Sequence, residues 1–263
     1  MVDNPANAAA PDASIAISAE HVSKRFGHVQ ALVDASVRVH RGEVVALLGD
    51  NGAGKSTFLK SLMGIHAPDT GRIVIDGEPV QLTGIRDAQE RGVDSVHQDL
   101  ALAPDLSVVD NMFLGHERFV RGPGRALGVL ARKEMEEICD AALTDLSIKL
   151  PSLRVPVSEL SGGQRQGLAV ARAVMWSRTA VLMDEPTAAL GARQSEIVCE
   201  LMRTVASRNL GVLVVSHDLP RILKVADRVT ILWRGRTALD APASELTVPD
   251  CVAVMVGYGM DAA

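Results

Sequence analysis

The stretch that most constrains this chain is Gly49-Asp50-Asn51-Gly52-Ala53-Gly54-Lys55-Ser56-Thr57. It follows the apolar run Val44 to Leu48, which reads as a buried strand. It precedes Phe58, Leu59, Leu62 and Met63, which share one side of a helix that stops at Gly64. Strand, glycine loop and helix in that order, with the spacing G-x-x-x-x-G-K-S, read as a phosphate-binding loop. Glycines let the backbone turn its N–H groups inward around an anion, and the N-terminus of the following helix adds partial positive charge. Gly49, Asn51, Gly52, Gly54 and Thr57 are therefore candidates for the cradle. In this motif Lys55 reaches the β and γ phosphates of ATP and the Ser56 hydroxyl sits on Mg²⁺.

Two further motifs carry chemistry. Val181-Leu182-Met183-Asp184-Glu185 is an apolar strand ending in two carboxylates. Asp184 is placed to hold Mg²⁺, and Glu185, one residue further out, to orient and deprotonate an attacking water. Taken alone, the pair would read equally well as an acidic turn before Pro186. Leu160-Ser161-Gly162-Gly163-Gln164 opens a helix carrying Leu168, Ala171, Val174 and Met175, a second glycine-rich helix start suited to an anion. A plain serine-glycine cap on an ordinary helix is the alternative, disfavoured by the order and spacing of the other motifs.

At L-S-G-G-Q the sequence resembles the ATP-binding subunits of ABC transporters, and the resemblance runs from about Ser18 to Leu239. It implies a phosphate-loop NTPase sheet core of α/β class, with an antiparallel β layer and an inserted helical subdomain. It also implies a head-to-tail homodimer in which Ser161, Gly162, Gly163 and Gln164 of one chain cover the ATP held by the other. On the same grounds Phe26 matches the aromatic that stacks on adenine, although a lone aromatic is more often core. Gln98 matches the glutamine that contacts Mg²⁺ and the attacking water, and His217 the histidine that contacts the γ-phosphate. One place departs from the usual pattern: Ala188-Ala189-Leu190 is followed by Gly191, where an aspartate is common.

Within that family the stretches His97 to Ser107 and Glu185 to Gly191 resemble subunits of bacterial monosaccharide importers of the ribose and fructose type, in single-domain form. The implied partners are integral-membrane permease subunits and, indirectly, a periplasmic sugar-binding protein. The implied location is the cytoplasmic face of the inner membrane. An ABC ATPase driving transport of another substrate is one alternative; from other classes, the alternatives are a soluble ABC ATPase acting on nucleic acid or ribosomes and a non-hydrolysing scaffold. Against the soluble ATPase stand the absence of coiled coils and zinc cysteines; against the scaffold, the presence of Lys55, Asp184, Glu185 and His217.

Composition agrees with a globular protein. In 263 residues the hydrophobic share is 47% and the net charge −5, which argues against a surface built to coat nucleic acid. Cys139, Cys199 and Cys251 are dispersed and odd in number, so they suggest reduced thiols and no metal spacing. No apolar run reaches membrane-spanning length, and the start has no signal-peptide pattern. Residues 1–13 read as a mobile tail, 14–98 and 178–245 as the nucleotide-binding core, 99–177 as the helical subdomain and 246–263 as a C-terminal extension.

Strands are expected around Ile15 to Ser18, Ala35 to Val39, Ile73 to Ile75, Val93 to Val96, Val181 to Met183, Val212 to Val215 and Val229 to Leu232. Within 99–177 the pair Val108-Val109 is the one short strand-like run. Arg118, Arg121, Arg125, Arg132 and Lys133 form either a solvated face or a contact for acidic lipid headgroups. Val108, Val109, Met112, Phe113 and Leu114 offer either core or an exposed surface for a permease helix.

Overall fold

The computed structural model describes residues 14–122, 124, 127–188 and 190–258. The tail at 1–13, Arg125 and Ala189 thus lie outside the described residues. In chain order, the strands are β1 (Ile15–Phe26), β2 (Val29–His40), β3 (Val44–Gly49), β4 (Thr70–Ile75), β5 (Glu78–Val80), β6 (Val93–Val96), β7 (Ala180–Asp184), β8 (Gly211–Val215), β9 (Arg228–Trp233) and β10 (Arg236–Pro242). The helices are α1 (Lys55–Leu62), α2 (Ile85–Glu90), α3 (Val108–Phe113), α4 (Arg132–Asp145), α5 (Gly162–Trp176), α6 (Ala192–Ala206), α7 (Leu219–Val225) and α8 (Val248–Met255).

Two sheets form. One is antiparallel with order β2-β1-β4-β5, and its first two strands turn at Gly27-His28, where Phe26 faces Val29. The other has order β10-β9-β3-β8-β7-β6; β9, β3, β8, β7 and β6 run parallel and β10 is an antiparallel edge. The six residues of β3 are all buried, as a strand covered on both faces requires. One face of this sheet meets the antiparallel layer and α1, with Leu47, Phe58 and Leu32 in a shared core. The other face meets α5, α6 and α7, with Leu48, Val170, Met202 and Ile222 in a second core. Full burial of each such side chain contributes about 1.5–3 kcal/mol.

The register decides where the chemistry lies. Leu47 of β3 pairs with Val215 of β8, Val215 with Asp184 of β7, and Met183 with Val96 of β6. The loops after these four strands therefore leave the sheet from the same, carboxyl edge, where ligands bind in open α/β sheets.

Between β6 and β7 the chain is mostly helical. Val108-Val109 begins α3 instead of forming a strand, because the Ser107 hydroxyl caps that helix by accepting from the Asp110 N–H at 3.1 Å. Val108, Val109, Met112 and Phe113 are core, each no more than 2% exposed, which overturns the reading of Phe113 as an exposed contact. The reason is a partner far along the chain. Trp176 of α5 meets the Phe113 ring edge-on at 5.7 Å and donates from Nε1 to the Met112 carbonyl at 3.0 Å. Leu114 alone of that group stays exposed. Among the cations, Arg118 pairs with Glu134 and Arg132 with Asp110, so the solvated-face reading suits these two.

Candidate ATP site

The loop after β3 is shaped by glycines in conformations other residues avoid: φ is +151° at Gly49, +80° at Gly52 and +104° at Gly54. At Gly49 a side chain would stand 2.5 Å from the Leu232 carbonyl oxygen of β9, so the loop is pressed against the sheet. Lys55, the first residue of α1, folds back across this loop, and its Nζ donates to the carbonyls of Gly49 at 2.8 Å and Asp50 at 3.0 Å. Burial lowers the Lys55 pKa, opposed by the carboxylates of Glu185, Asp50 and Asp184. Asn51, Gly52 and Ser56 are exposed around it, and Thr57 is half-buried.

Asp184 ends β7 and Glu185 follows with a left-handed backbone, φ +49°, its N–H donating to the Val215 carbonyl at 3.0 Å. A non-glycine residue in that region is strained, and the strain turns the Glu185 side chain out of the strand line. Its Oε1 lies 2.8 Å from Nε2 of His217, which stands on the loop after β8. Asp184 is held above the ordinary carboxylate range, first by burial and then by the neighbouring Glu185 charge. Gln98 is exposed and lines an open depression with His97, Asp99 and Asp184. Thus Gly49 to Thr57, Gln98, Asp184, Glu185 and His217 all lie along one sheet edge.

Phe26, at the end of β1, is 42% exposed; it touches His66 edge-on at 5.0 Å, and the Lys24 ammonium stands over its ring, 5.7 Å from the centroid. The four residues of the second glycine motif are elsewhere. Ser161 caps α5, accepting from the Gln164 N–H at 3.3 Å while the Gln164 side chain accepts from the Ser161 N–H at 2.9 Å. Ser161, Gly163 and Gln164 line a cavity of about 600 Å³ with Arg193, Gln194 and Ile197, and no residue of the phosphate loop lines it. Gly191 caps α6 with its backbone only, in an ordinary extended conformation.

Two residues with a place in this region were not singled out from sequence. His97 lines the same depression as Gln98 and Asp184; its adjacency to Gln98 was the available signal. Arg172, on α5, donates to the loop just beyond Gln98, a relation that nothing in sequence spacing reveals. The three cysteines are free and buried, and burial pushes the Cys139 thiol up to about 12, so it is inert.

Comparison with known proteins agrees with the geometry. The family model described as ABC transporter matches residues 32–188. The fructose import ATP-binding protein FrcA of Rhizobium meliloti is 42% identical over 245 residues, covering 92% of this chain and 94% of that protein. The xylose/arabinose import ATP-binding protein XylG of Sulfolobus acidocaldarius is 42% identical over 239 residues, covering 91% and 93%. Among solved structures, cbiO1 from Clostridium perfringens, part of the ABC transporter complex cbiONQ, superposes with a TM-score of 0.76 at 25% identity, over 94% of this chain and 96% of that one. A dimeric ATP-binding cassette, MJ0796, in a post-hydrolysis state bound to ADP and Pi, gives 0.69 at 22% identity, over 86% and 98%. A phosphate loop, a helix opened by Ser161 and two glycines, and a carboxylate pair in this order, a matching family model and relatives this similar over nine-tenths of the chain lead to one conclusion: the chain belongs to the ABC transporter family, as one of its ATP-binding subunits.

Proposed function

We propose that this chain is the ATP-hydrolysing subunit that powers uptake of a monosaccharide through integral-membrane permease subunits, which receive the sugar from a periplasmic binding protein. The observation that carries the enzymatic part is the convergence of Lys55, Asp184, Glu185, His217 and Gln98 on one sheet edge. The 42% identity to fructose and xylose/arabinose import proteins supports the sugar. In this reading residues 14–98 and 178–245 form the nucleotide core, 99–177 the helical part that meets the permease, and 246–263 an extension. Among the described residues no helix is long and apolar enough to cross a membrane, so attachment at the cytoplasmic face would come through the permease.

Each residue then has a task. Phe26 offers its exposed ring to adenine, with Lys24 moving off the ring. Gly49, Asn51, Gly52, Gly54, Ser56 and Thr57 surround the phosphates, and Lys55 exchanges its two carbonyl partners for β and γ oxygens. Glu185 takes the proton of the attacking water, while His217, 2.8 Å away, orients the carboxylate and reaches the γ-phosphate. Gln98 contacts the same water and reports its state to the permease.

The residues fit a magnesium ion. Ser56, Asp184 and Gln98 are hard oxygen donors, and the burial and neighbouring Glu185 charge that raise the Asp184 pKa would be offset by a cation. Magnesium held by so few protein oxygens would keep waters and substrate oxygens as its remaining ligands. Bound there, Mg²⁺ would neutralise charge developing on the transferred phosphoryl group. Because Ser161, Gly163 and Gln164 line a cavity apart from the phosphate loop, they and the intervening Gly162 complete the site of a second copy of the chain.

Glu185→Gln tests the enzymatic role. The amide keeps the size and the His217 contact but is no base, so ATP binding should persist while phosphate release falls about 10²-fold to 10⁴-fold. Near-normal turnover would move the base to His217 or to water alone. Uptake of labelled fructose, ribose and xylose by cells with and without the chain tests the substrate class; equal uptake of all three would remove the sugar assignment.

A further inference from the structure

We infer that Arg172 is a positioning residue, which makes the turn carrying Gln98 follow the helix that begins at the signature motif; this rests on the role proposed for Gln98. The turn is not self-supporting. Leu100 and Ala101, directly after it, are consecutive non-glycine residues in left-handed conformation, with φ of +61° and +46°. Such a conformation is unfavourable for a residue with a side chain and persists only where surroundings enforce it. One hydrogen bond inside the turn, from the Leu100 N–H to the His97 carbonyl at 2.9 Å, does not enforce both.

The guanidinium of Arg172 does. Its Nη1 donates to the Ala101 carbonyl at 2.8 Å and its Nη2 to the Leu100 carbonyl at 3.1 Å, so one planar fork grips both strained residues. The group is partly desolvated, and the half-buried carboxylate of Asp94 on β6 contributes favourable charge to it. The next residues are held differently. Asn111 of α3, fully buried, accepts from the Ala103 N–H at 2.8 Å and donates to the carbonyls of Ala103, Leu106 and Ser107. Residues 103–107 are thereby bound to α3, and the Gln98 turn to α5.

Arg172 and Trp176 are one turn apart on the same face of α5. Trp176 stacks on His116 at 4.0 Å and holds the end of α3, so α5 grips the turn and the following helix together. At its other end, about 22 Å away for a 15-residue helix, are Ser161 and the glycine amides. In a head-to-tail dimer, ATP engaged by that end in one site would act through Arg172 on Gln98, which belongs to the other site. Arg172 is thus the link through which each ATP influences the second.

The test uses the full chain with Arg172→Ala and Arg172→Lys, read by amide hydrogen exchange without nucleotide and by the ATP dependence of phosphate release. Loss of the fork should speed exchange at residues 97–102 by about tenfold or more, with 103–107 and α5 unchanged. Turnover should fall about 10-fold to 10²-fold, with ATP binding affinity held within about threefold, because positioning and not binding is lost. Lysine, a single point charge, should rescue neither readout. Wild-type exchange at 97–102 in Arg172→Ala, full rescue by lysine, or loss of protection throughout α5 would each overturn the inference. The exchange result stands apart from hydrolysis, so failure of the Glu185 experiment would be told from failure of this one.

Discussion

Replacing Gly54 with alanine isolates the packing of the phosphate loop against its neighbours. Gly54 precedes α1 with φ +104°, ψ 0°, and an added Cβ would stand 2.7 Å from the Ala31 carbonyl oxygen and 2.9 Å from Leu32 Cδ2. Both belong to β2, and Leu32 is fully buried, so neither can withdraw. Gly52 supplies the control: its φ is +80°, yet a Cβ there meets nothing within 4 Å. Left-handed strain alone costs about 1–2 kcal/mol, the expectation for Gly52→Ala. Overpacking adds about 1–3 kcal/mol, so Gly54→Ala should cost about 2–5 kcal/mol. With a urea slope near ~3 kcal/mol/M, the difference separates the two midpoints by about 0.3–1 M. Saturating ATP, which at about 100 times its Kd adds ~2.7 kcal/mol to a competent loop, should stabilise the wild type and not Gly54→Ala. Equal urea midpoints for the two variants would refute the packing argument.

Two other outcomes are expected. Mixing Lys55→Ala with Ser161→Arg places both lesions in one site of the mixed dimer and neither in the other, so some ATPase activity should return; a mixture as inactive as its parts would argue against sites shared between chains. At Glu43, burial would raise the carboxyl, but hydrogen bonds from Arg228 at 2.9 Å and from His40 outweigh it and hold the pKa below its ordinary value. A depressed folded-state pKa adds stability that is present above the unfolded value and lost as pH falls through the folded one. Glu43→Gln should therefore cost about 1.5–3 kcal/mol at neutral pH, and denaturant midpoints should converge with wild type below about pH 4; a constant gap down to pH 3 would contradict this assignment.

Much of the fold was legible because its signals are local. The glycine spacing at 49–54 dictates backbone angles that only glycine adopts freely, and Val44 to Leu48 read as buried because every residue is apolar. The seven expected strands lie within β1, β2, β4, β6, β7, β8 and β9 for the same reason. β5 and β10 went unread: each is short or half-exposed at a sheet edge and carries little hydrophobic alternation.

Neighbourhood is different, because it depends on pairings between distant segments. The sequence by itself determined that a phosphate loop, a carboxylate pair, a histidine and a glycine-rich helix start exist, since each is a short pattern. Tertiary structure alone decided that Val215 lies between Leu47 and Asp184, which brings Glu185 within 2.8 Å of His217 and leaves Ser161 in a separate cavity. It also decided that Phe113 is core and that Arg172 grips the loop after Gln98, because Trp176 and Arg172 are 63 and 71 residues away from their partners Phe113 and Ala101 in sequence, and only the packing of α5 against α3 closes that distance.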